Sequence, residues 1–420
     1  MRVTDRTDTT APDVTADVAI IGGGCAGLAT AVRLAATRPD LDVVLLEGRS
    51  SADPRSWCSW DDGSDPVPEA RSASWDRWEV RTDRGTAIGS DPHHPYVLVR
   101  AADRWAAVER RTRGAVRLVR GAVVSRVDRS GTTSTVHAGA DTVRSRSVLD
   151  ATGPRCPEHV APGRVLLHQR FVGQWIETDR PVFDTSTVTL MDFADGDDAR
   201  RARHVRFVYV LPVTSTRALV ESTLFTADAA DPFDHRAAIR AYVGDRWQLA
   251  DDAWEVTEEE AGCIPMTDAP AGDLVGRLAR PADRPGAGGR GGPGVAPTLD
   301  AVAGTTRPSS GYGFARTNRH SETVARHLAD GTPVPPHRDR ARTRFLDAVF
   351  LRFLRDRPGD APEVFRRLVA MPGPLVVRFL TERSTPLDDL RIVLALPKPP
   401  FLAALAATVL ERRPRRDARR

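Results

Sequence analysis

Residues 16–49 read ADVAIIGGGCAGLATAVRLAATRPDLDVVLLEGR, and this stretch carries the clearest structural pattern in the chain. A β-branched strand leads into a glycine turn, an Ala/Leu-rich helix and a second strand ending at Glu47, which is the pattern of a βαβ unit. Gly22, Gly24 and Gly27 have G-x-G-x-x-G spacing. The first glycine permits a tight turn, the second lets the backbone approach a pyrophosphate, and the third packs the helix on the strand. The stretch therefore predicts a Rossmann-like dinucleotide-binding unit.

Two further features indicate which dinucleotide is bound. Glu47 stands 20 residues after Gly27, where its carboxylate can accept hydrogen bonds from ribose hydroxyls. The segment SVLDATGP, residues 147–154, is an apolar strand closed by a turn at Gly153, and it resembles the second strand and turn of FAD domains. Taken alone it fits any strand followed by a turn. Together with the βαβ unit it favours FAD over NAD.

The rest of the chain predicts a second sheet and a helical layer. At 420 residues the chain exceeds the roughly 250–300 residues beyond which a single core tends to split. The β-rich segments HVRFVYVLPV and RALVESTLF, joined by a short polar turn, predict an antiparallel hairpin. Near the C-terminus, RTRFLDAVFLRFLRD has apolar residues at helical spacing. The predicted fold class is α/β: a Rossmann-like FAD-binding domain, an antiparallel β-sheet substrate domain and a C-terminal helical layer.

These patterns divide the chain into predicted regions. The ranges are 1–15 for a disordered N-terminus, 16–165 for the first part of the FAD-binding domain, 166–275 for the substrate domain, 276–297 for a Gly/Pro/Arg-rich insertion, 298–335 for the second part of the FAD-binding domain, 336–410 for the helical region and 411–420 for a basic tail.

Composition excludes several classes of protein. The net charge is +4, and the positive charges are nearly all arginines scattered along the chain, which argues against a nucleic-acid surface. The four cysteines lie far apart without C-x-x-C spacing, so neither a metal site nor a disulfide framework is expected, and a reducing compartment fits. The polar N-terminus predicts no signal peptide, and no apolar run reaches the length of about 18 residues that a membrane span needs.

The chain resembles the bacterial lycopene cyclases, a family of FAD-dependent carotenoid enzymes. The motifs that carry the resemblance, in chain order, are IIGGGCAGLATA, RSWCSW, PYVLVRAADRW, VLDATGP, HQRFVGQWIET, LMDF, RFVYVLP, LVESTLF, GCIPM and AGTTRPSSGYGF. The resemblance implies an isomerase that closes the linear ends of lycopene into β-ionone rings without net redox change. It also implies reduced FAD as the active cofactor and NAD(P)H as reductant.

The segment RALVESTLF, residues 217–225, holds the proposed catalytic acid. In the family, the glutamate at the position of Glu221 lines the carotenoid cavity and takes part in acid–base chemistry. Strand alternation puts Leu219, Glu221, Thr223 and Phe225 on one face, so the carboxyl group has apolar neighbours and its pKa should rise. The alternative is a structural Glu221 paired with an arginine.

The resemblance also implies a substrate-binding set. Asp192, in LMDF, is a second candidate catalytic residue that either supports the cavity or pairs with an arginine. Aromatic side chains could stack along a polyene or stabilise a cation, although such residues are also common in plain cores. The predicted substrate-binding residues are Trp57, Trp60, Gln174, Trp175 and Phe193.

The loop AGTTRPSSGYGF, residues 303–314, is the predicted flavin loop, with Gly304, Pro308, Gly311 and Tyr312 as cofactor-binding residues. Redox flavoproteins of this superfamily carry an aspartate after the glycine, whereas here Gly304 is followed by Thr305. This departure favours a cyclase over the alternative of a redox flavoenzyme, such as a monooxygenase or geranylgeranyl-type reductase. A third alternative, a degenerate flavoprotein without turnover, rests on the neighbouring insertion.

The expected location follows from the substrate. Lycopene dissolves only in the bilayer, so a cytoplasmic protein peripherally attached to the inner face of the cell membrane is expected. Docking is predicted through apolar helical surface around PLDDLRIVLALPKPPFLAALAATVL, residues 386–410. Other enzymes of carotenoid biosynthesis are further expected partners.

Overall fold

A computed structural model describes residues 14–51, 53–153, 157, 159–193, 203–270, 274, 299–301 and 305–412. The predicted disordered N-terminus and basic tail lie mostly outside these residues, and the predicted insertion at 276–297 and Gly304 lie entirely outside them.

The first sheet contains the βαβ unit. Its strands run in the order β8-β2-β1-β11-β10-β9, with β17 beside β11. The pairs β9–β10 and β10–β11 are antiparallel, and all other neighbours in this sheet are parallel. The bounds are β1 (Val14–Ile21), β2 (Val43–Glu47), β8 (Val116–Arg120), β9 (Val124–Ser130), β10 (Thr133–Ala138), β11 (Asp141–Asp150) and β17 (Leu299–Ala301).

The second sheet runs in the order β16-β12-β15-β14-β13-β5-β6. All its neighbours are antiparallel except β13 and β5, which are parallel, so the predicted antiparallel sheet is in fact mixed. Strands β5 and β6 come from within the range 16–165 and still join this sheet. The bounds are β5 (Arg77–Thr82), β6 (Gly85–Ser90), β12 (Leu166–Thr178), β13 (Thr187–Asp192), β14 (Val205–Pro212), β15 (Arg217–Thr226) and β16 (Trp254–Thr267).

A small antiparallel sheet, in the order β3-β7-β4, carries the segment RSWCSW. Its strands are β3 (Ser56–Trp60), β4 (Ala73–Trp75) and β7 (Tyr96–Arg100). Trp60 and Tyr96 of this sheet belong to the same apolar core as the second sheet. The small sheet therefore brings RSWCSW against the predicted substrate sheet.

Helices cover both large sheets. The described helices are α1 (Cys25–Thr37), α2 (Ala101–Arg111), α3 (His235–Trp247), α4 (Phe314–Ala329), α5 (Ala341–Asp356), α6 (Ala361–Val369), α7 (Gly373–Leu380), α8 (Pro386–Ala395) and α9 (Lys398–Glu411). Helices α1, α2 and α4 share a core with the first sheet. Helix α3 packs on one face of the second sheet, and α5 to α9 pack on the opposite face. Among the described residues, no helix is both long enough and apolar enough to cross a bilayer.

Candidate active site

The glycine turn between β1 and α1 is fixed by close backbone contacts. Gly22 has a φ of 105°, and a Cβ there would lie 2.7 Å from the carbonyl oxygen of Ala151. A Cβ on Gly27 would lie 1.9 Å from the carbonyl oxygen of Gly22. No side chain fits at either position, so both glycines are required by the fold. The contact with Ala151 also places the turn of SVLDATGP beside the glycine turn.

The space beside α1 suits a cofactor phosphate. A Cβ on Gly24 would meet no protein atom within 4 Å, and no side chain caps the first N–H groups of α1. Unpaired N–H groups at a helix N-terminus attract anions. Gly153 has a φ of 98°, and the space around its missing Cβ is open as well. These residues fit the pyrophosphate of a dinucleotide.

Glu47 is held in place by the glycine turn. Its Oε2 accepts a hydrogen bond from the backbone N–H of Gly23 at 2.7 Å, and its Oε1 accepts one from the N–H of Arg49 at 2.8 Å. The spacing rule did not include Gly23, yet a Cβ there would lie 2.2 Å from the ring of Trp105. The run of three consecutive glycines in the sequence could have indicated that Gly23, like Gly22 and Gly27, is required by the fold.

The predicted flavin loop forms a closed turn in front of α4. The N–H of Gly311 donates to the carbonyl of Arg307 at 3.0 Å, and the N–H of Arg307 donates to the carbonyl of Tyr312 at 2.8 Å. Pro308 lies within this turn and is partly exposed. Gly311 has a φ of 72°, and its missing Cβ leaves room for the side chain of Gln169 on β12. The loop therefore lies against the second sheet.

Thr305 stands after Gly304, where the pattern of redox flavoproteins has an aspartate. Thr305 is buried and accepts a hydrogen bond from the Thr317 hydroxyl at 3.0 Å. The short, neutral side chain of Thr305 is therefore buried at the position where redox flavoproteins have an aspartate. Helix α4 begins at Phe314 without a side-chain cap, so a second open helix N-terminus follows the loop.

Glu221 belongs to a row of residues across four strands of the second sheet. The register pairs Glu221 with Tyr209 on β14 and with Gly173 on β12, and it pairs Gly173 with Glu260 on β16. Directly paired residues lie on the same face of a sheet. Glu221 and Glu260 therefore flank Gly173 on one face. The sequence predicted Glu221 but missed Glu260.

The surroundings of Glu221 keep its carboxyl group protonated. Leu219 and Phe225, on the same face, belong to the core shared with α5 to α9. Oε1 accepts a hydrogen bond from the Thr223 hydroxyl at 2.6 Å, and no arginine or lysine nitrogen in the described chain lies within 4.0 Å of this carboxylate. Desolvation raises the pKa of Glu221 to about 8, although the Thr223 hydrogen bond opposes the shift. These contacts oppose the ion-pair alternative.

Three tyrosine hydroxyl groups connect the predicted flavin loop to Tyr209, the residue paired with Glu221 on β14. The Tyr209 hydroxyl donates to the Tyr96 hydroxyl at 2.9 Å, and Tyr96 lies 3.3 Å from the Tyr312 hydroxyl. Burial raises the pKa of all three phenols, so they are neutral near pH 7. Trp60 packs edge-on against Tyr96 and Tyr312, with ring centroids 4.8 and 5.4 Å apart. Trp60 therefore lies at the junction of the flavin loop and the substrate sheet.

The other predicted aromatic residues occupy different places. Trp57 stacks on Phe314 at the start of α4, with centroids 6.2 Å apart. Phe193 packs in the core shared with the C-terminal helices. Trp175 lies on the same face as Gly173, but the guanidinium groups of Arg100 and Arg217 lie over its ring, 5.0 and 5.1 Å from the centroid. The Trp175 ring thus already interacts with two cations.

Two predicted site residues face away from Glu221. Gln174 alternates with Gly173 and donates a hydrogen bond to Glu259 at 2.9 Å on the α3 side of the sheet. A bulge in β13 between Thr189 and Asp192 turns Asp192 to that side as well. There its carboxylate accepts a hydrogen bond from Tyr242 of α3 at 2.9 Å and lies 3.1 Å from Arg81 Nε. The structure therefore favours the arginine-pairing alternative for Asp192.

One cluster of metal-binding residue types lies outside this site. His337, Asp339 and Glu382 could bring three ligand atoms together. The Arg316 guanidinium pairs with both carboxylates of the cluster. The cluster is therefore already neutralised by protein, and we assign no metal to it.

Comparisons with known proteins agree with this architecture. The family model described as lycopene cyclase protein matches residues 17–406. The lycopene beta-cyclase of Paracoccus sp. (strain N81106 / MBIC 01143) is 29% identical over 434 aligned residues, covering 96% of this chain and 98% of that protein.

Solved structures show the same fold at low identity. A geranylgeranyl bacteriochlorophyll reductase-like protein from Thermoplasma acidophilum matches with a TM-score of 0.59 at 12% identity, covering 94% of this chain and all of that one. The flavin-dependent monooxygenase PieE, solved with FAD and substrate, matches with a TM-score of 0.52 at 18% identity, covering 95% of this chain and 72% of that one. The predicted two-domain α/β flavoprotein fold is thereby confirmed.

Proposed function

The chain belongs to the lycopene cyclase family, and from this premise we propose that it closes the linear end groups of lycopene into β-ionone rings. The observation that carries the proposal is Glu221, a carboxyl group with a raised pKa of about 8 on the apolar face of the second sheet. A carboxylic acid that stays protonated near neutral pH can act as a proton donor. The reaction proposed is an isomerisation without net redox change.

FAD is the proposed cofactor, because the open glycine turn and the two uncapped helix N-termini fit a dinucleotide. The residues that would hold it are Gly22, Gly24, Gly27, Glu47, Gly153, Gly304, Pro308, Gly311 and Tyr312. Bound in its reduced form, with NAD(P)H as the proposed reductant, FAD would supply an electron-rich ring beside a developing cation.

The chain's own residues supply the proton and the apolar surroundings. Glu221 would give its proton to the terminal double bond of lycopene, which forms a C–H bond and leaves a cation. The neighbouring double bond attacks this cation and closes the ring, and loss of a proton restores a double bond. The apolar core around Leu219 and Phe225 would exclude water, and the face of Trp60 could stabilise the cation. Trp57 and Phe193 remain candidates for contact with the polyene.

We also propose that the protein reaches lycopene as a peripheral membrane protein. Of the thirteen exposed large apolar side chains in the described part of the chain, eight lie on two consecutive helices, α8 and α9. These eight residues, called here the α8–α9 apolar surface, are Leu387, Leu390, Val393, Leu394, Leu402, Leu405, Val409 and Leu410. Burial of this surface in a bilayer would be favourable by roughly 25 cal/mol per Å² of apolar area.

Expression of the chain in cells that accumulate lycopene, followed by chromatography of the pigments, tests the proposed activity. We expect cyclic carotenoids from the parent and unreacted lycopene from a Glu221→Gln variant that still binds flavin. The matched control is Glu259→Gln, on the opposite face of the sheet, which should cyclise lycopene like the parent. Unreacted lycopene with a folded, flavin-loaded parent would refute the proposal, as would reduced or oxygenated products.

A further inference from the structure

Glu260 is a buried carboxyl group that the proposed reaction has not yet used. Its residue is 5% exposed, and its Oε2 has no hydrogen-bond partner among the described residues. Burying an unpaired carboxylate oxygen is costly, so such a group needs a reason to be there. Its place in the sheet suggests one.

Gly173 allows the two glutamates to approach each other. A Cβ at Gly173 would lie 3.2 Å from Cγ of Glu260 and 3.5 Å from Cβ of Glu221. Any residue other than glycine at position 173 would put a side chain between the two carboxyl groups. The absent side chain and the register together create a paired site on the face that holds the proposed catalytic acid.

The charged groups around the pair are largely committed to other partners. Near Glu260, Asp53 is paired with Arg55, and Arg100 is paired with Glu258. Hydrogen bonding from Ser56 on β3 lowers the pKa of Glu260 and so opposes the effect of burial. Around Glu221, the facing groups are neutral: the Thr223 hydroxyl, the phenols of Tyr209 and Tyr312, and the Cys58 thiol. Neither glutamate therefore has a dedicated cation.

We propose that Glu221 and Glu260 act as an acid–base pair across Gly173, in which Glu221 protonates the terminal double bond and the Glu260 carboxylate accepts the proton released after ring closure. This assignment rests on the proposed cyclase function. It adds a second residue to the proposed reaction and gives the released proton a destination.

The cycle balances without an oxidant or reductant. The first C–H bond takes the proton of Glu221 and the electron pair of the terminal double bond. The ring C–C bond takes the pair of the neighbouring double bond. When the second C–H bond breaks, its electron pair forms the ring double bond and its proton goes to Glu260. Between turnovers the pair exchanges with solvent: Glu260 releases its proton and Glu221 takes up a solvent proton, which restores the starting state.

Protonation equilibria support this division of roles. Burial raises the pKa of Glu260 to about 7 and that of Glu221 to about 8, and the negative charge of Glu260 further disfavours ionisation of Glu221. Once Glu260 is ionised, its charge favours retention of the proton on Glu221. A pair of carboxyl groups in different protonation states is a common arrangement for acid and base roles.

The test compares purified parent, Glu260→Gln and Glu259→Gln enzymes, all loaded with reduced FAD, across a range of pH. The parent should show a bell-shaped pH–rate profile, since the acid must be protonated and the base ionised. Glu260→Gln should turn over lycopene about 10²-fold more slowly or worse. The variant should lose the acidic limb of the profile, because no base at position 260 remains to be ionised. Its alkaline limb should move to lower pH, because loss of the Glu260 charge lowers the pKa of Glu221. Glu259→Gln should behave like the parent.

The outcomes distinguish failure of the proposed cyclase function from failure of the Glu221–Glu260 pair alone. A parent that does not cyclise lycopene refutes the proposed function and the pair together. An active parent with a flavin-loaded Glu260→Gln variant that keeps the parent rate, or that keeps both limbs at the parent's pH values, refutes only the pair.

If Glu260→Gln does not bind flavin, carbon-13 NMR titration of glutamate carboxyl groups in the parent provides the decision. Two coupled titrations near neutral pH support the pair. Independent titration of both groups below about pH 5, as in unperturbed glutamates, overturns it.

Discussion

The raised pKa of Glu221 makes stability depend on pH. The folded-state pKa of about 8 lies above the ordinary value of 4.5, so between these values the folded protein keeps a proton that the unfolded chain releases. Stability contributed by this group is complete below about pH 4.5 and is lost as pH rises towards 8. Glu221→Gln cannot ionise, and its amide oxygen can still accept the Thr223 hydrogen bond. We therefore expect the variant to match the parent near pH 4.5 and to exceed its stability by up to about 5 kcal/mol near pH 8.5, at about 1.4 kcal/mol for each pKa unit.

Denaturant unfolding at several pH values measures this difference. The control is Glu259→Gln, because hydrogen bonding to Arg236 lowers the pKa of Glu259, which gives the opposite sign. Its difference from the parent should be small and constant between about pH 5 and pH 8.5. A difference between Glu221→Gln and the parent that does not change with pH would show that Glu221 ionises normally in the folded protein.

The glycine turn gives a second prediction at the scale of single residues. An alanine at position 24 meets no protein atom within 4 Å, so Gly24→Ala should fold like the parent. Its methyl group would occupy the space proposed for the pyrophosphate, and we expect FAD affinity to fall by more than about tenfold, or ~1.4 kcal/mol. Gly22→Ala should instead lose stability, because its φ of 105° and the contact with Ala151 exclude a Cβ.

Flavin titration and thermal unfolding of both variants test this contrast. Gly24→Ala with parental FAD affinity would show that the glycine turn is not the cofactor site. Gly22→Ala with parental stability would contradict the backbone geometry.

At the scale of secondary-structure elements, α8 and α9 carry the membrane prediction. Leu390 and Leu402 are 51% and 61% exposed, and replacing both by glutamate places charge on the α8–α9 apolar surface. We expect the double variant to float with liposomes at least about tenfold less than the parent, since each buried leucine is worth about 1.5–3 kcal/mol. Val123→Glu is the control, because Val123 is 65% exposed but follows β8 of the first sheet. Equal flotation of all three proteins would exclude a role for this surface.

Elements with strong local patterns were predictable from the sequence, whereas their pairing was not. The βαβ unit follows from its glycines and apolar periods, and the hairpin of β14 and β15 follows from two β-rich runs joined by a short turn. Glu260 became visible only because β12 lies between β15 and β16, a non-local pairing that no local pattern specifies. The orientation of Asp192 depends on a bulge in β13, which strand alternation does not reveal. Gln174 and Trp175 are adjacent in one strand, so alternation already indicates that they lie on opposite faces of the sheet.

On the scale of the whole molecule, the predicted flavin loop, the small sheet and the second sheet meet at one place. The tyrosine chain from Tyr312 through Tyr96 to Tyr209 joins the predicted flavin loop to the strand beside Glu221. Tyr312 of the predicted flavin loop therefore packs against the core that contains Leu219 and Phe225, the apolar neighbours of the proposed acid. This arrangement suits a reaction in which a proton is delivered next to a bound flavin and no electrons are transferred overall.

Proton transfer without net redox change is tested by the mass of the product that the parent enzyme, loaded with reduced FAD, forms from lycopene in deuterium oxide. Proton delivery from an exchangeable acid predicts a product one mass unit heavier for each ring closed, and a product of unchanged mass in ordinary water. The same experiment should show no NAD(P)H consumption in proportion to product. A product in ordinary water that is heavier by two or sixteen mass units, with stoichiometric NAD(P)H consumption, would contradict the account and identify a reductase or a monooxygenase instead.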